Sequence, residues 1–447
     1  MKNNRSKWLL FFIGCFSMTQ IRVGGNIGIS ELFVFLAAPL IFITDYRRLS
    51  RHGFLPTLYL AILVCIACVI SSAHNHTPLY NVIRGFASPY GIFAWVVVLH
   101  RLLTRNIQGF KFFIIGLALS SVINIFVFQP GREIDGSLHG ANDDAVEAVI
   151  SSQLFWVQRL TNFLTIPIRC WYLETPILYS ILAPLFIIAF TFATTESGRS
   201  ASLATMVGCL IIFFCQKSRR KIIRVERQFI TFAVLCGLVV VIFKIAYVYM
   251  GSQGLLNEKA EAKFERQSRF GTSAHALLIG GRAEFFCGLT AALERPIIGY
   301  GPWAVDTSGF YENFLLKYGN ETDFASYLRY RESMAKSGFV VQSLIPTHSH
   351  IVGFWVYYGC IGLIFWAYIV FLCVEHMRKY LSAVPQFLGL ISFAIPSTMW
   401  HIFFSPFNSR PSTCFFIVIL LIARAVGKGL IPLPEDMVRS AYEHDRL

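Results

Sequence analysis

Apolar runs recur along this 447-residue chain at close to one bilayer's length each, and short polar segments separate them. Crossing a bilayer's hydrocarbon core takes about 20 mostly apolar residues in a helix. On that criterion, candidate spans lie near 8–22, 27–44, 54–72, 86–100, 112–128, 176–194, 200–216, 229–250, 350–373, 385–404 and 411–427. The polar segments are not uniform. Lys2, Arg5 and Lys7 precede the first run, Arg47, Arg48 and Arg51 follow the second, and Arg101, Arg105 and Lys111 sit between the fourth and fifth. Lys217, Arg219, Arg220, Lys221, Arg224 and Arg227 crowd one segment against the single acid Glu226, while Arg378, Lys379, Arg424 and Lys428 mark two more.

Basic loops stay on the cytoplasmic side of a membrane, so these clusters orient the chain. The fifth run then ends outside near Gln129, and the basic segment at 217–227 requires an odd number of crossings between the two. The runs at 176–194 and 200–216 supply two. A weaker crossing near 145–168, despite Glu147 and Arg159, supplies the third; polar residues within a span are costly and tend to face a protein interior. The expectation is an all-α polytopic membrane protein of about twelve spans with both termini inside. Residues 1–250 carry spans one to nine, residues 251–349 form a large periplasmic loop, and residues 350–447 carry the last three spans and a cytoplasmic tail. Acidic and basic residues balance in that loop, and Phe310, Phe314 and Tyr318 recur every four residues. The loop is therefore expected to fold, with an amphipathic helix whose aromatic stripe packs on the membrane domain.

Composition agrees with the pattern. The chain is 55% hydrophobic and 14% charged, against about 25% charged in soluble domains. A net charge of +14 would suit nucleic acid, but its confinement to loops assigns it to topology. Most cysteines lie in apolar runs, where the thiol behaves as a small hydrophobe. Cys65-x-x-Cys68 is one such pair, Cys170 falls in a short connection, and Cys287 is alone in the large loop, so no disulfide is expected there. No small-residue cleavage site follows the first run, which is read as a retained span.

Three polar points fall on the outer side. Arg199 sits in Ser197-Gly198-Arg199-Ser200 between two spans. Arg282 sits in Gly280-Gly281-Arg282-Ala283-Glu284 in the large loop, and His348 and His350 lie where the loop re-enters the membrane. Each alone is an ordinary interfacial residue. Together they are what transfer from a diphosphate lipid requires. Guanidinium groups bind phosphate oxygens bidentately and keep their charge, and a histidine can take a proton from an attacking hydroxyl. No D-x-D occurs, and Asp143-Asp144 is a poor substitute, so no metal is expected. A phosphate-binding G-x-x-x-x-G-K-[ST] loop and a G-x-S-x-G elbow are also missing.

The residues also resemble a family. Gly281-Arg282, then Pro296-Ile297-Ile298-Gly299-Tyr300-Gly301, then His348-Ser349-His350, then Gly359-Cys360-Ile361-Gly362 is similar to the signature block of the O-antigen ligase and O-antigen polymerase superfamily, and Ser197-Gly198-Arg199-Ser200 resembles its upstream element. The likeness covers residues 197–363; upstream, only a polar loop with Arg132, Asp135 and Asn142 echoes it. It departs at Ser349, where the family has Asn, and at Phe286, where it usually has Trp. The resemblance implies a C-type membrane glycosyltransferase fold, an undecaprenyl-diphosphate-linked oligosaccharide donor, a periplasmic active site in the bacterial inner membrane and no cofactor. It also implies pyrophosphate contacts at Arg199 and Arg282 and acceptor activation at His348, with His350 as a rival and a further substrate contact.

Within that family the acceptor is either a second lipid-linked glycan, for a polysaccharide polymerase, or lipid A–core, for a ligase. The polymerase is preferred here, and a chain-length regulator is the partner such a pathway implies. A transporter of the same lipids would show paired charges at mid-membrane and repeated halves. Here the strong spans lack mid-depth charges.

Overall fold

In a bilayer each backbone N–H and C=O must be satisfied within its own segment, and this drives apolar runs into helices. The computed structural model describes residues 2–17, 20–22, 26–127, 207–208, 211, 225–255, 261, 264, 283–318, 344–380, 387–405 and 410–432. Arg199, Arg282, the candidate spans at 145–168 and 176–194 and most of that at 200–216 lie outside these residues. Helix α1 (Lys2–Cys15) starts before the first predicted run, 8–22, and stops inside it, whereas α2 (Ile29–Arg51), α3 (Leu55–His74), α4 (Leu79–Arg105), α5 (Gly109–Val127) and α6 (Val225–Ser252) follow the predicted runs. A short antiparallel hairpin, β1 (Gln20–Arg22) with β2 (Asn26–Gly28), joins α1 to α2 and pairs Ile21 with Ile27. The large loop contributes α7 (Ala283–Glu294) and α8 (Phe310–Tyr318). Then come α9 (His350–Tyr358), α10 (Cys360–Glu375, continued by a π turn to Tyr380), α11 (Leu388–Phe404) and α12 (Arg410–Gly427). Four of the described segments are long and apolar enough to cross a membrane: Ile29–Arg51, Leu55–His74, Leu79–Arg105 and Cys360–Tyr380.

Burial sorts the helices. A helix apolar all round belongs in a core, and α4 from Gly91 to His100 and α12 from Cys414 to Ala423 are buried on every side. In α2, by contrast, Leu36, Leu40 and Ile43 are at least 70% exposed on one stripe, the surface a lipid chain would cover. The α1–α5 crossing uses small residues. A Cβ on Gly116 would stand 2.9 Å from the Cys15 nitrogen, and one on Gly14 would stand 3.0 Å from that of Leu117, so glycine permits the close backbone approach.

One end of the bundle gathers Arg48, Arg101 and Arg424. There Arg101 pairs with Asp45 at 2.7 Å, Arg48 donates to the Thr104 carbonyl at 3.3 Å and Arg424 meets Glu375 at 3.1 Å. His52 Nδ1 lies 3.0 Å from His100 Nε2, and the Phe110 and Phe387 rings meet at 4.9 Å. The α3–α4 turn and the end of α11 lie at the opposite end, where the loop helices dock.

One expected element takes a different form. Residues 350–373 are not a single crossing helix. The chain breaks at Gly359, whose φ of +65° is left-handed, and α9 folds back along the start of α10. His350 therefore stands beside Trp366, with ring centroids 4.8 Å apart, and Phe354 lies beside Phe365 at 6.2 Å. Apolar periodicity reads straight through such a hairpin because both arms are buried. Phe310 and Phe314 of the predicted aromatic stripe are buried too. Phe310 and Phe314 pack with Cys287, Ala291, Val352 and Val356, so α8 leans on α7 and α9.

Candidate functional site

The site is built on two interlocked turns. After α7 the chain turns through residues 295–301, with Gly299 and Gly301 at φ of +77° and +82°. This turn docks against the break between α9 and α10. Tyr300 N donates to the Val356 carbonyl at 2.6 Å, Cys360 N donates to the Ile297 carbonyl at 3.2 Å, and Trp355 Nε1 donates to the Pro296 carbonyl at 2.9 Å. Glycine is needed on both sides. A Cβ on Gly299 would come within 2.6 Å of the Val356 carbonyl oxygen, and one on Gly359 would collide with the Ile297 carbonyl. A Cβ on Gly362 would run into the carbonyl of Phe354, so the second glycine of Gly359-x-x-Gly362 lets α9 lie flat on α10. Two motifs some sixty residues apart in the chain are thus halves of one joint.

The joint presses against the end of the bundle opposite Arg48, Arg101 and Arg424. Arg295 donates to Asn75 Oδ1 at 2.7 Å while its guanidinium covers the Tyr300 ring at 4.5 Å, and Asn75 Nδ2 reaches the Gly299 carbonyl at 3.1 Å. Burial, reinforced by neighbouring Glu294, pushes the Tyr300 hydroxyl up to about 12. Pro302 packs on Gly85, and Tyr358 donates to the Gly85 carbonyl at 2.8 Å. Trp303 adopts φ of +57°, a strained conformation for a bulky residue. Arg84 holds its indole, with the guanidinium 4.0 Å from the ring centre. Asp306 accepts the backbone N–H groups of Phe310 and Tyr311 and so starts α8. Cys287 is buried on α7, and burial followed by the Asp306 and Glu284 carboxylates pushes its thiol up to about 12. It stays a thiol at neutral pH and is no nucleophile.

On this scaffold His348 and His350 separate. His348 is 50% exposed and points Nδ1 at Glu284 Oε2, 3.7 Å away on the first turn of α7. His350 is only 3% exposed, against Trp366 and 6.2 Å from the His401 ring on α11. Of the two, His348 alone offers its ring to a substrate from outside. Between them Ser349 caps α9: its hydroxyl accepts from Val352 N at 3.2 Å and donates to the Ile402 carbonyl at 2.9 Å. Asn and Ser are both good N-caps, which accounts for the Ser where the resemblance would place Asn. Thr347 meets the Tyr357 hydroxyl at 3.2 Å, and Tyr357 lies beside Trp303.

Arg199 and Arg282 fall outside the described residues. In sequence, Arg282 immediately precedes the first residue of α7. Sequence reasoning gave no role to Glu284 and passed over Arg84. The signal available for Arg84 was a lone Arg-Gly pair at the polar edge of a span; Glu284 offered none beyond lying two residues after Arg282.

Residues 183–367 match a protein-family model described as O-antigen ligase, over a stretch that includes the Ser-Arg element, the loop arginine, both turns and both histidines. Comparison with curated proteins and with solved structures finds no match.

Proposed function

Because residues 183–367 of this multi-pass membrane chain match the O-antigen ligase family model, we propose that it transfers saccharide from an undecaprenyl-diphosphate carrier to an acceptor hydroxyl at the periplasmic face of the bacterial inner membrane. The observation that carries this reading is the half-exposed His348 held over α7 at the end of the bundle away from the basic cluster. Arg199 and Arg282 bind the pyrophosphate and stabilise the charge that grows on it as it leaves. His348 takes the acceptor proton, and the freed oxygen attacks the anomeric carbon opposite the leaving group. The scheme runs on guanidinium and imidazole groups and needs no metal. One displacement inverts the anomeric centre, so a product linkage of retained configuration would refute it.

The preferred acceptor is a second lipid-linked repeat unit, which makes the protein a polysaccharide polymerase. A ligase delivering glycan to lipid A–core is the second reading, favoured by the description of the matching family. The test is the surface glycolipid profile of a deletion strain complemented with wild type or His348→Ala. Core lipid bearing a single repeat unit means polymerase. Bare core with polymer left on the carrier means ligase. Loss of secreted polysaccharide with unchanged lipopolysaccharide means an exopolysaccharide polymerase. His348→Ala is expected to reproduce the deletion, and full restoration by it would remove His348 from the mechanism.

A further inference from the structure

We infer that Glu284 is a positioning residue for His348, fixing its tautomer so that Nε2 faces the acceptor hydroxyl as a proton acceptor; this rests on the reading of His348 just given. Glu284 lies on the first turn of α7 and His348 just before α9, so packing of α7 against α9, not sequence proximity, brings them together. Val352, Val356, Cys287 and Ala291 form the buried contact beneath the pair. The facing atoms are Nδ1 of the imidazole and Oε2 of the carboxylate, 3.7 Å apart. That is a charge contact, somewhat longer than a hydrogen bond. Both side chains are about half exposed, so small rotations close the gap when substrate excludes water, as catalytic hydrogen bonds often do on binding.

The chemistry assigns the two nitrogens. An ionised carboxylate only accepts hydrogen bonds, so the nitrogen facing it carries the hydrogen and the other keeps a lone pair. In the transfer, the acceptor O–H bond breaks and its proton moves to Nε2. The oxygen's electron pair forms the new bond to the anomeric carbon, and the diphosphate departs with the pair of the broken C–O bond. His348 becomes an imidazolium, and the Glu284 carboxylate offsets that charge through Nδ1–H. The other titratable groups packed around this point are buried His350 and, through it, His401; Tyr357 bonds the adjacent Thr347. Cys287, on the same helix as Glu284, is buried, and among the described residues Glu284 supplies the charged contact to Nδ1.

A plainer role for Glu284 is an acid in the first turn of a helix, where it offsets the dipole. The two roles separate in kinetics. The probe is the undecaprenyl-diphosphate-linked saccharide extracted from the deletion strain, assayed with the full-length protein in membrane vesicles. Partners that orient a reacting histidine contribute about 10–100-fold by analogy with second-layer ligand supports. Glu284→Gln and Glu284→Ala are expected to lower kcat by about 10-fold with KM for the donor and Tm unchanged, and Glu284→Asp to recover part of the loss. Wild-type kcat in Glu284→Gln and Glu284→Ala would overturn the proposal, as would a fall in kcat that simply tracks a fall in Tm. Activity surviving in His348→Ala would instead sink the reading beneath it, so the two failures are told apart.

Discussion

At the scale of single residues, the joint between the 295–301 turn and the α9–α10 break depends on backbone that only glycine supplies cheaply. Gly359 and Gly429 make a controlled pair, with φ of +65° and +70°. A Cβ on Gly429 meets nothing within 4 Å, whereas one on Gly359 strikes the Ile297 carbonyl. Left-handed strain alone costs a non-glycine residue about 1–2 kcal/mol. Gly429→Ala should lose about that much in thermal unfolding of the detergent-purified protein, and Gly359→Ala should lose more and take activity with it, because His348 lies just before α9. Equal losses at the two positions would mean that the joint yields without cost. The residues that matter here were partly legible. Gly299, Gly301, Gly359 and His348 stood out as motif members, but nothing in the sequence said that the two glycine turns touch. The separation of His348 from His350 was hidden as well, because two histidines two apart acquire different surroundings only when α9 folds back on Trp366.

At the scale of elements, apolar length located α2 to α6, α11 and α12, missed α7, and failed where two helices meet without a polar gap. Residues 350–358 and 360–375 are both apolar because one packs on the other, so the run reads as one span. The links between elements were illegible for a related reason: their partners are distant in sequence. His52, just after α2, lies against His100 on α4. Burial, then the charges of Arg48 and Arg51, lower its imidazole from an ordinary 6.5 to about 4. The sign follows from linkage. The folded state binds fewer protons than the unfolded chain between those values, so this group's contribution is complete above about pH 6.5 and is lost as pH falls toward about 4. Purified protein should therefore lose Tm between pH 7.5 and 5, and His52→Gln, which cannot take up a proton there, should lose less, by roughly 2–4 °C. Parallel curves for the two proteins would show that His52 does not set the pH response.

At the scale of the whole molecule, the clustering of charge becomes a statement about sidedness. Arg48, Arg101 and Arg424 are far apart in sequence, yet each makes its contact at one end of the bundle: with the Thr104 carbonyl, with Asp45 and with Glu375. Asn75, Arg295, Trp303 and His348 occupy the other end with the loop helices. If the basic loops remain in the cytoplasm, the end holding His348 faces the periplasm, as the proposed function requires. Cysteines introduced singly at His74, Arg51 and Lys428, all exposed positions, read this directly. In intact cells with a permeable outer membrane, a membrane-impermeant maleimide should label His74→Cys above the level of the parent chain. It should leave Arg51→Cys and Lys428→Cys unlabelled until the inner membrane is opened. The reverse pattern would turn the molecule over, put His348 on the cytoplasmic side and refute transfer at the periplasmic face.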